Sequence, residues 1–424
     1  MPQIERLFGA VNIGSFRVSA MIAGINENGE MQVLGSGHRM AQGIRRGYVT
    51  DMAAATYAVR DALEKAEKLS GHNVSSVWIG SSGAGLTSRV DPVEIDIGGR
   101  RIEEEDVEHL LIAAQDVVQP DGRMVLHAHP ACYFLDGADG VANPVGLHAE
   151  RLGVDIHSLL ADGAPMRNVR EAVENAHLDV EGIVASPLAA GYAVLSDEER
   201  DLGAALVEMG AEVTNVAVYA AGMLVGLASI PRGSADITDA VASAFGIKRF
   251  QAERLKCVNG SAVASPTDRK EMIPLAGPND DAAVARGTDD RGRIPRSELI
   301  EVVTGELDAI MTEVGRALEA LGYSGSGTSA RQVVLTGGGA EMAGLADYAQ
   351  SALGKPVRIG RAPSLRGLPE AHATPGFATL AGLVLYAADE PADIRSVGNR
   401  RQQIKDFGIV GQVKRIVWAM KEHF

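Results

Sequence analysis

Short apolar runs rich in β-branched residues alternate along this chain with stretches of helical spacing. Phe8–Ile13 reads as a strand, Gly14-Ser15 as a turn, and Arg17–Ile25 as a second strand. Asn26-Glu27-Asn28-Gly29 then makes a hairpin turn into a third strand, Met31–Gly35. Asp51–Leu69 has helical spacing, with apolar residues at Ala55, Val59, Ala62, Leu63 and Ala66 behind Asp51 as cap. Val74–Gly80 is a strand of buried type. Far downstream the opening pattern returns: Leu202–Met209, a turn at Gly210-Ala211-Glu212, Val213–Tyr219, a turn at Ala221-Gly222, then Met223–Ile230. The recurrence predicts an internal duplication, with two like domains facing each other.

Between the copies the texture changes. Residues 85–163 read as an inserted α+β module: an alternating edge strand at Val93–Ile97, a helix at Glu103–Val118, and strands at Met124–Leu135 and Gly153–Leu160. The acidic run Glu103-Glu104-Glu105-Asp106 complements a helix N-terminus. His127 and His129 share a strand face as metal ligands can, but no third donor is near them in sequence, so no metal site is expected. Helical stretches follow at Val169–Ala176 and Pro187–Leu195, flanking a strand at Gly182–Ala185. After the second copy come helices at Asp236–Gly246 and Arg249–Val258, an irregular polar stretch at Ser265–Asp290, and an alternating Arg293–Arg296. A long amphipathic helix, Ser297–Leu321, is capped by its serine.

Gln332–Leu335 is a buried-type strand that runs through Thr336 into Gly337, Gly338 and Gly339, then into the helical composition of Ala340–Tyr348. Consecutive glycines at that point let backbone approach a ligand and direct free amides and a helix N-terminus at it. Neither a Walker loop nor GxGxxG spacing is present. Pro356–Ile359 and a helix from Pro375 to Ala388 complete the folded part.

Composition narrows the class. A chain of 424 residues with 46% hydrophobic and 22% charged residues implies two or more domains with large cores. A formal net charge of −15 without a basic stripe argues against nucleic acid as the main partner. Cys132 and Cys257 are isolated, which suits a reducing compartment. Met1–Ala10 lacks a signal-peptide core, and no run of about 18 apolar residues exists, so a cytoplasmic protein is expected.

Two glycine turns facing each other across a cleft, with a third glycine loop, resemble the actin, Hsp70 and sugar-kinase superfamily. Gly9–Arg17 occupies its first phosphate loop, Val207–Asn215 the second, and Leu335–Gly344 the adenosine loop. QAERLK, Gln251–Lys256, resembles the adenosine-side helix, with Glu253 and Lys256 as its acid and lysine; an ordinary helical ion pair is the other reading. Within the superfamily the chain is similar to the bacterial FtsA family over essentially its whole length. The blocks that carry this are GIRRGYVTDM (Gly43–Met52), the insertion at 85–163, GSADITDAVASAFG (Gly233–Gly246), AERLK and TPGFATLAGL (Thr374–Leu383).

The resemblance implies an α/β, actin-like duplicated ATPase fold. Its subdomains are 1–84 with 164–200 and 362–388, the insertion at 85–163, 201–232 with 301–361, and 233–300. ATP with Mg²⁺ would contact Asn12, Gly14, Ser15, Phe16, Glu208, Gly210, Ala211, Glu212, Glu253, Lys256, Gly337, Gly338, Gly339 and Met342. The implied partners are the tail of FtsZ, further copies of the chain, other division proteins and the membrane. Arg293, Arg296 and Glu301 are the candidate FtsZ contacts. The implied location is the cytoplasmic face of the inner membrane at the septum.

The C-terminus supports tethering independently. Residues 389–407 read as a polar linker. Beyond them Ile409, Val410, Val413, Ile416, Val417 and Met420 form an apolar stripe, with Lys414, Arg415 and Lys421 off it and Trp418 flanking. A helix of about 15 residues is ~22 Å long, too short to span a bilayer and suited to lying in its interface. A basic stretch on an acidic chain concentrates attraction to anionic lipid there.

The departures bear on catalysis. Asn12 stands where the first loop usually carries an acid, and Glu208-Met209-Gly210-Ala211-Glu212-Val213 replaces Asp-Ile-Gly-Gly-Gly-Thr. At about 4 Å from a phosphate oxygen, Glu212 would repel by roughly 1 to 4 kcal/mol. Either Glu212 turns outward, or it holds a metal in place of the missing acid, or triphosphate binding is weak. Nucleotide binding with poor hydrolysis is expected. The competing readings are an adaptor of another envelope machine, of pilus-assembly type, and a small-molecule kinase, against which the altered loops speak.

Overall fold

The computed structural model describes residues 4–83, 85–118, 122–141, 143–275, 292–323, 331–389, 391 and 393–396. The chain divides into two compact units, one of residues 1–88, 122–126 and 159–390, the other of 89–121, 127–158 and 391–424.

The large unit is a duplication. Its first half holds β1 (Ile4–Ile13), β2 (Arg17–Asn26), β3 (Met31–Met40), the small hairpin β4 (Ile44–Arg45) and β5 (Tyr48–Val49), and β6 (Ser76–Ser81). The insertion contributes β7 (Thr87–Asp96), β8 (Met124–Leu135), β9 (Ala138–Val141) and β10 (Arg151–Ala161), and β11 (Asp179–Ala185) returns to the first half. The second half holds β12 (Ala204–Met209), β13 (Thr214–Ala220), β14 (Met223–Ile230), the ribbon β15 (Met272–Pro274) with β16 (Arg293–Pro295), then β17 (Val333–Thr336) and β18 (Val357–Ile359). The first sheet runs β11-β6-β1-β2-β3, and the second half repeats it as β18-β17-β12-β13-β14. In both, an antiparallel meander is extended on one side by two parallel strands.

Strand period decides what each residue of the second sheet faces. On β12, Ala204 and Leu206 join the core shared with the first half, while Ala205, Val207 and Met209 join the second core. Both faces are covered, so the strand is apolar almost throughout. Glu208 breaks that run. The alternation puts it on the face of Ala204 and Leu206, under the helices Ser186–Val194 and Ala378–Asp389.

Local chemistry explains most helix starts. Asp51 caps Met52–Ser70 by accepting from the Ala54 amide at 3.0 Å. Asp106 folds back to accept from the Glu103 amide at 2.8 Å, closing the first turn of Glu104–Val117, and takes both Arg100 nitrogens. Three expectations are corrected. The helix expected from Ser297 starts at Arg296 after Pro295, with Ser297 already inside it and no side-chain cap. Residues from Asp197 form a short helix ending at Leu202, so β12 starts only at Ala204. The glycine triplet leads into a 3₁₀ turn, Gly338–Glu341, and the α-helix begins at Leu345, so no α-helix N-terminus sits directly behind it.

In the smaller unit, β7, β10, β8 and β9 form a sheet beside the helix Glu104–Val117. The start of the expected 389–407 linker belongs to structure. Asp389 ends the last helix, and the segment Ile394–Ser396 lies against the insertion, with Ile394 buried and its carbonyl accepting from Gln115 Nε2. The rest of that stretch and the whole amphipathic tail at 408–424 lie outside the described residues.

Candidate nucleotide cleft

The two duplicated turns share one hydrogen bond. Gly14 N donates to Arg17 O at 3.2 Å, and Gly210 N donates to Val213 O at 2.9 Å. Among the described residues, the amides of Ser15, Phe16, Ala211 and Glu212 have no acceptor. Two successive unpartnered amides at each turn form a concavity suited to an anion.

The third loop packs against the second. Gly337 has φ +84°, and a Cβ there would lie 2.5 Å from Met209 O. A Cβ on Gly339 would lie 2.5 Å from Met209 Cγ, whereas one on Gly338 would meet nothing within 4 Å. The outer two glycines are therefore demanded by close approach, and the middle one faces open space. Met342 closes the turn by donating to Gly339 O. Gly337 N donates to Pro375 O at 3.2 Å, which seats the triplet on the TPGFATLAGL block. Arg17 donates to Gly376 O at 2.8 Å and stacks over Phe377 at 3.9 Å, and burial lowers its pKa.

The acids of the cleft are already partnered. Glu208 is 7% exposed, and its carboxylate accepts from Ser186 Oγ at 2.6 Å, Asn215 Nδ2 at 2.9 Å and Thr379 Oγ1. Asn215 also donates to Ser82 Oγ and accepts from Ser229 Oγ. Glu212, free to turn outward or to hold a metal as far as sequence could tell, accepts from the Arg46 amide at 2.6 Å. The same turn, Arg46-Gly47, gives its second amide to Ser15 Oγ at 3.1 Å. One small hairpin thus ties down side chains of both loops. Asn12, the neutral counterpart of Glu208, lies on β1 beside Gly80 and Leu383.

Lys256 is 8% exposed and donates to Glu253 Oε2, Thr238 Oγ1 and Ser234 O, each at 2.8 or 2.9 Å. Burial opposes ionisation of Glu253, but the bonds from Lys256 and Thr238 outweigh it and lower its pKa. The pair forms the i, i+3 ion pair. It braces the helix Ser234–Phe245, whose first amides, Ser234 N and Ala235 N, donate to Gly210 O and Ala211 O at 3.0 and 2.7 Å. Elsewhere, Arg293 and Glu301 are exposed. Arg296 instead clamps the base of the ribbon, donating to Asn259 O and to the buried Asp268 carboxylate.

The donor set fits the phosphates of a nucleotide, with the open face at Gly338 left for a flat base or sugar. It fits Mg²⁺ less readily, because Glu208 and Glu212 already accept from protein donors. Residue-by-residue reading missed Arg17, Arg46, Ser186, Asn215, Thr379 and Gly376 as parts of the cleft. Arg46, Gly376 and Thr379 fall inside blocks that carried the family resemblance, and Arg17 and Asn215 end the two phosphate loops; Ser186 had no signal beyond following a strand.

Comparison with known proteins agrees. A family model described as "Cell division protein FtsA" matches residues 205–382, and one described as "SHS2 domain inserted in FTSA" matches 83–160. The FtsA of Agrobacterium fabrum is 31% identical over 99% of this chain and 95% of its own length. That of Escherichia coli K12 is 30% identical over 91% of each. Among solved structures, the PilM–PilN type IV pilus biogenesis complex superposes with a TM-score of 0.62 at 17% identity, covering 91% of this chain and 99% of that one. MreB 5 of Spiroplasma citri bound to AMPPNP gives 0.51 at 13%, covering 95% and 99%. These likenesses show an actin-like fold. The sequence matches go further, and by them the chain belongs to the FtsA family of cell division proteins.

Proposed function

We propose that this chain is a membrane-anchored, actin-like scaffold of bacterial cell division that tethers FtsZ filaments to the cytoplasmic face of the inner membrane at the septum, assists assembly of the ring and recruits further division proteins. Membership of the FtsA family supports the process. The observation that carries the anchoring role is the apolar stripe of residues 408–424 with Lys414, Arg415, Lys421 and Trp418 beside it. In this reading the FtsZ tail docks near Arg293 and Glu301, with Arg296 shaping the ribbon beneath. The cleft binds ATP, as the AMPPNP-bound MreB 5 relative by fold does, and copies associate in the actin-like manner.

Flotation with anionic vesicles tests the anchor. The full chain is expected to float and to carry a fluorescent FtsZ C-terminal peptide with it. Removing 408–424 is expected to abolish flotation and leave peptide binding intact. Flotation undiminished by that truncation would refute the anchor, and absence of peptide binding by either form would refute the tether. The likeness to PilM favours a second reading, an adaptor for another envelope machine, and the same peptide experiment separates the two.

Hydrolysis is expected to be slow. A kinase or fast ATPase needs acids free to organise Mg²⁺ and the attacking group. Here Asn12 is neutral, Glu208 is bound by three donors and Glu212 by one.

A further inference from the structure

His127 and His129 leave β8 on one face, their rings stacked 5.5 Å apart and 17° from parallel. The nearest further donor in sequence, Cys132, gives its thiol to Tyr133 O instead. The chain supplies one from its far end: Asp393 returns to the insertion, its Oδ2 lies 3.9 Å from His127 Nδ1, and it accepts from the Ala128 amide at 3.4 Å. One ligand atom from each of the three residues falls within a set no wider than 4.8 Å. His157 on β10 adjoins them. It is 1% exposed, and its Nε2 has no hydrogen-bond partner among the described residues.

Burial first, then the neighbouring His129, Arg395 and His157, hold His127 well below the usual imidazole range. Burial, then His129, takes His157 to about 4. Two imidazoles and one carboxylate are a donor set for Zn²⁺ and its borderline neighbours.

We propose that His127, His129 and Asp393 form a divalent transition-metal site, with the fourth position taken by water or His157. Ligand atoms around a tetrahedral ion with bonds near 2.0 Å stand about 3.3 Å apart, so the set must close by roughly an ångström through side-chain rotation. Arg395 is the competitor, donating to Asp393 Oδ1 at 2.9 Å and to Oδ2 at 2.6 Å. On binding, Oδ2 turns to the ion while Arg395 keeps Oδ1, as outer partners orient ligating carboxylates. The guanidinium charge holds affinity in the micromolar range rather than at that of closed structural sites. The ion would fasten the segment after the last helix to the insertion. Asp393 precedes Gly408 by 15 residues, so the same ion would fix where the amphipathic tail departs.

The test is a Co²⁺ titration of the full chain, its purification tag removed and its metal stripped, followed by visible absorption and paired with Zn²⁺ calorimetry. One ion per chain is expected, with the visible band of tetrahedral Co²⁺. Asp393→Asn and His129→Gln are expected to weaken binding at least tenfold. Asp393→Asn keeps the size and shape of the side chain, which is 13% exposed, so the fold is expected to be retained, and circular dichroism checks it. No visible band in the parent, or undiminished binding by Asp393→Asn, would overturn the proposal.

Discussion

In the first half of the duplication the strand-to-strand turn reads Asn12-Ile13-Gly14-Ser15-Phe16, and in the second Glu208-Met209-Gly210-Ala211-Glu212. The backbones match, with the same Gly-to-i+3 hydrogen bond and pairs of unpartnered amides. The side chains do not. The first turn offers an amide, a hydroxyl and a half-exposed Phe16; the second brings two carboxylates, each held by donors from distant parts of the chain. Backbone alone can cradle phosphate, and both turns present amides for it, whereas metal activation depends on side chains, and those of the second turn are engaged elsewhere. In this chain the cradle is made of backbone, and the acids of the second turn serve as structural parts.

Breaking the hairpin that holds both turns should have the largest effect. Gly47 has φ +77°, and a Cβ there would sit 1.7 Å from Ser82 O. Gly47→Val is expected to destabilise the large unit by about 3 kcal/mol or more, read by denaturant unfolding. Next, Glu208→Ala leaves Ser186, Asn215 and Thr379 without their acceptor and should cost about 2–4 kcal/mol, whereas Asn12→Ala, its counterpart, should cost much less. Were Glu208 a metal ligand instead, stability would barely change and Mg²⁺ dependence would vanish. Third, Glu212→Gly removes an anion from the cradle and only one bond to an exposed backbone amide. It should tighten ATP binding about 5- to 100-fold with little change in stability.

The smallest effect sharpens the comparison by contrasting acids held by neutral donors with one held by a cation. The Arg100 guanidinium takes Asp106 from 3.8 down to about 2. A depressed carboxylate pKa contributes stability that is fully present above about pH 4 and is lost as the pH falls through about 2. Asp106→Asn should cost about 1 kcal/mol of the insertion's stability at pH 7. It should also flatten the acid limb of unfolding, which circular dichroism against pH would report.

What was legible in the sequence was local. Asp51 announced its helix because its carboxylate bonds the third residue on, and the duplication showed because Gly14 and Gly210 each end an apolar strand run and open a second strand. The Ser297 cap failed for an equally local reason. Pro295, closing β16, presets φ for a helix that begins at Arg296. The partners of the acids were not legible. Thr379 lies 171 residues from Glu208, and Arg46 lies 166 from Glu212. No periodicity links such residues, and only the folded chain brings Asp393 to His127.

In the function proposed above, the cleft binds ATP but lacks the free acids that would turn it over quickly. Calorimetric titration of Mg²⁺-ATP into chain lacking 408–424, with phosphate release followed in the same sample, tests it most directly. One nucleotide per chain is expected, with turnover far below the ~1 s⁻¹ that marks the slow end of active kinases. Turnover at or above that rate, abolished by Glu208→Gln in a chain that still folds and binds ATP, would contradict it, because Glu208 would then be a working acid.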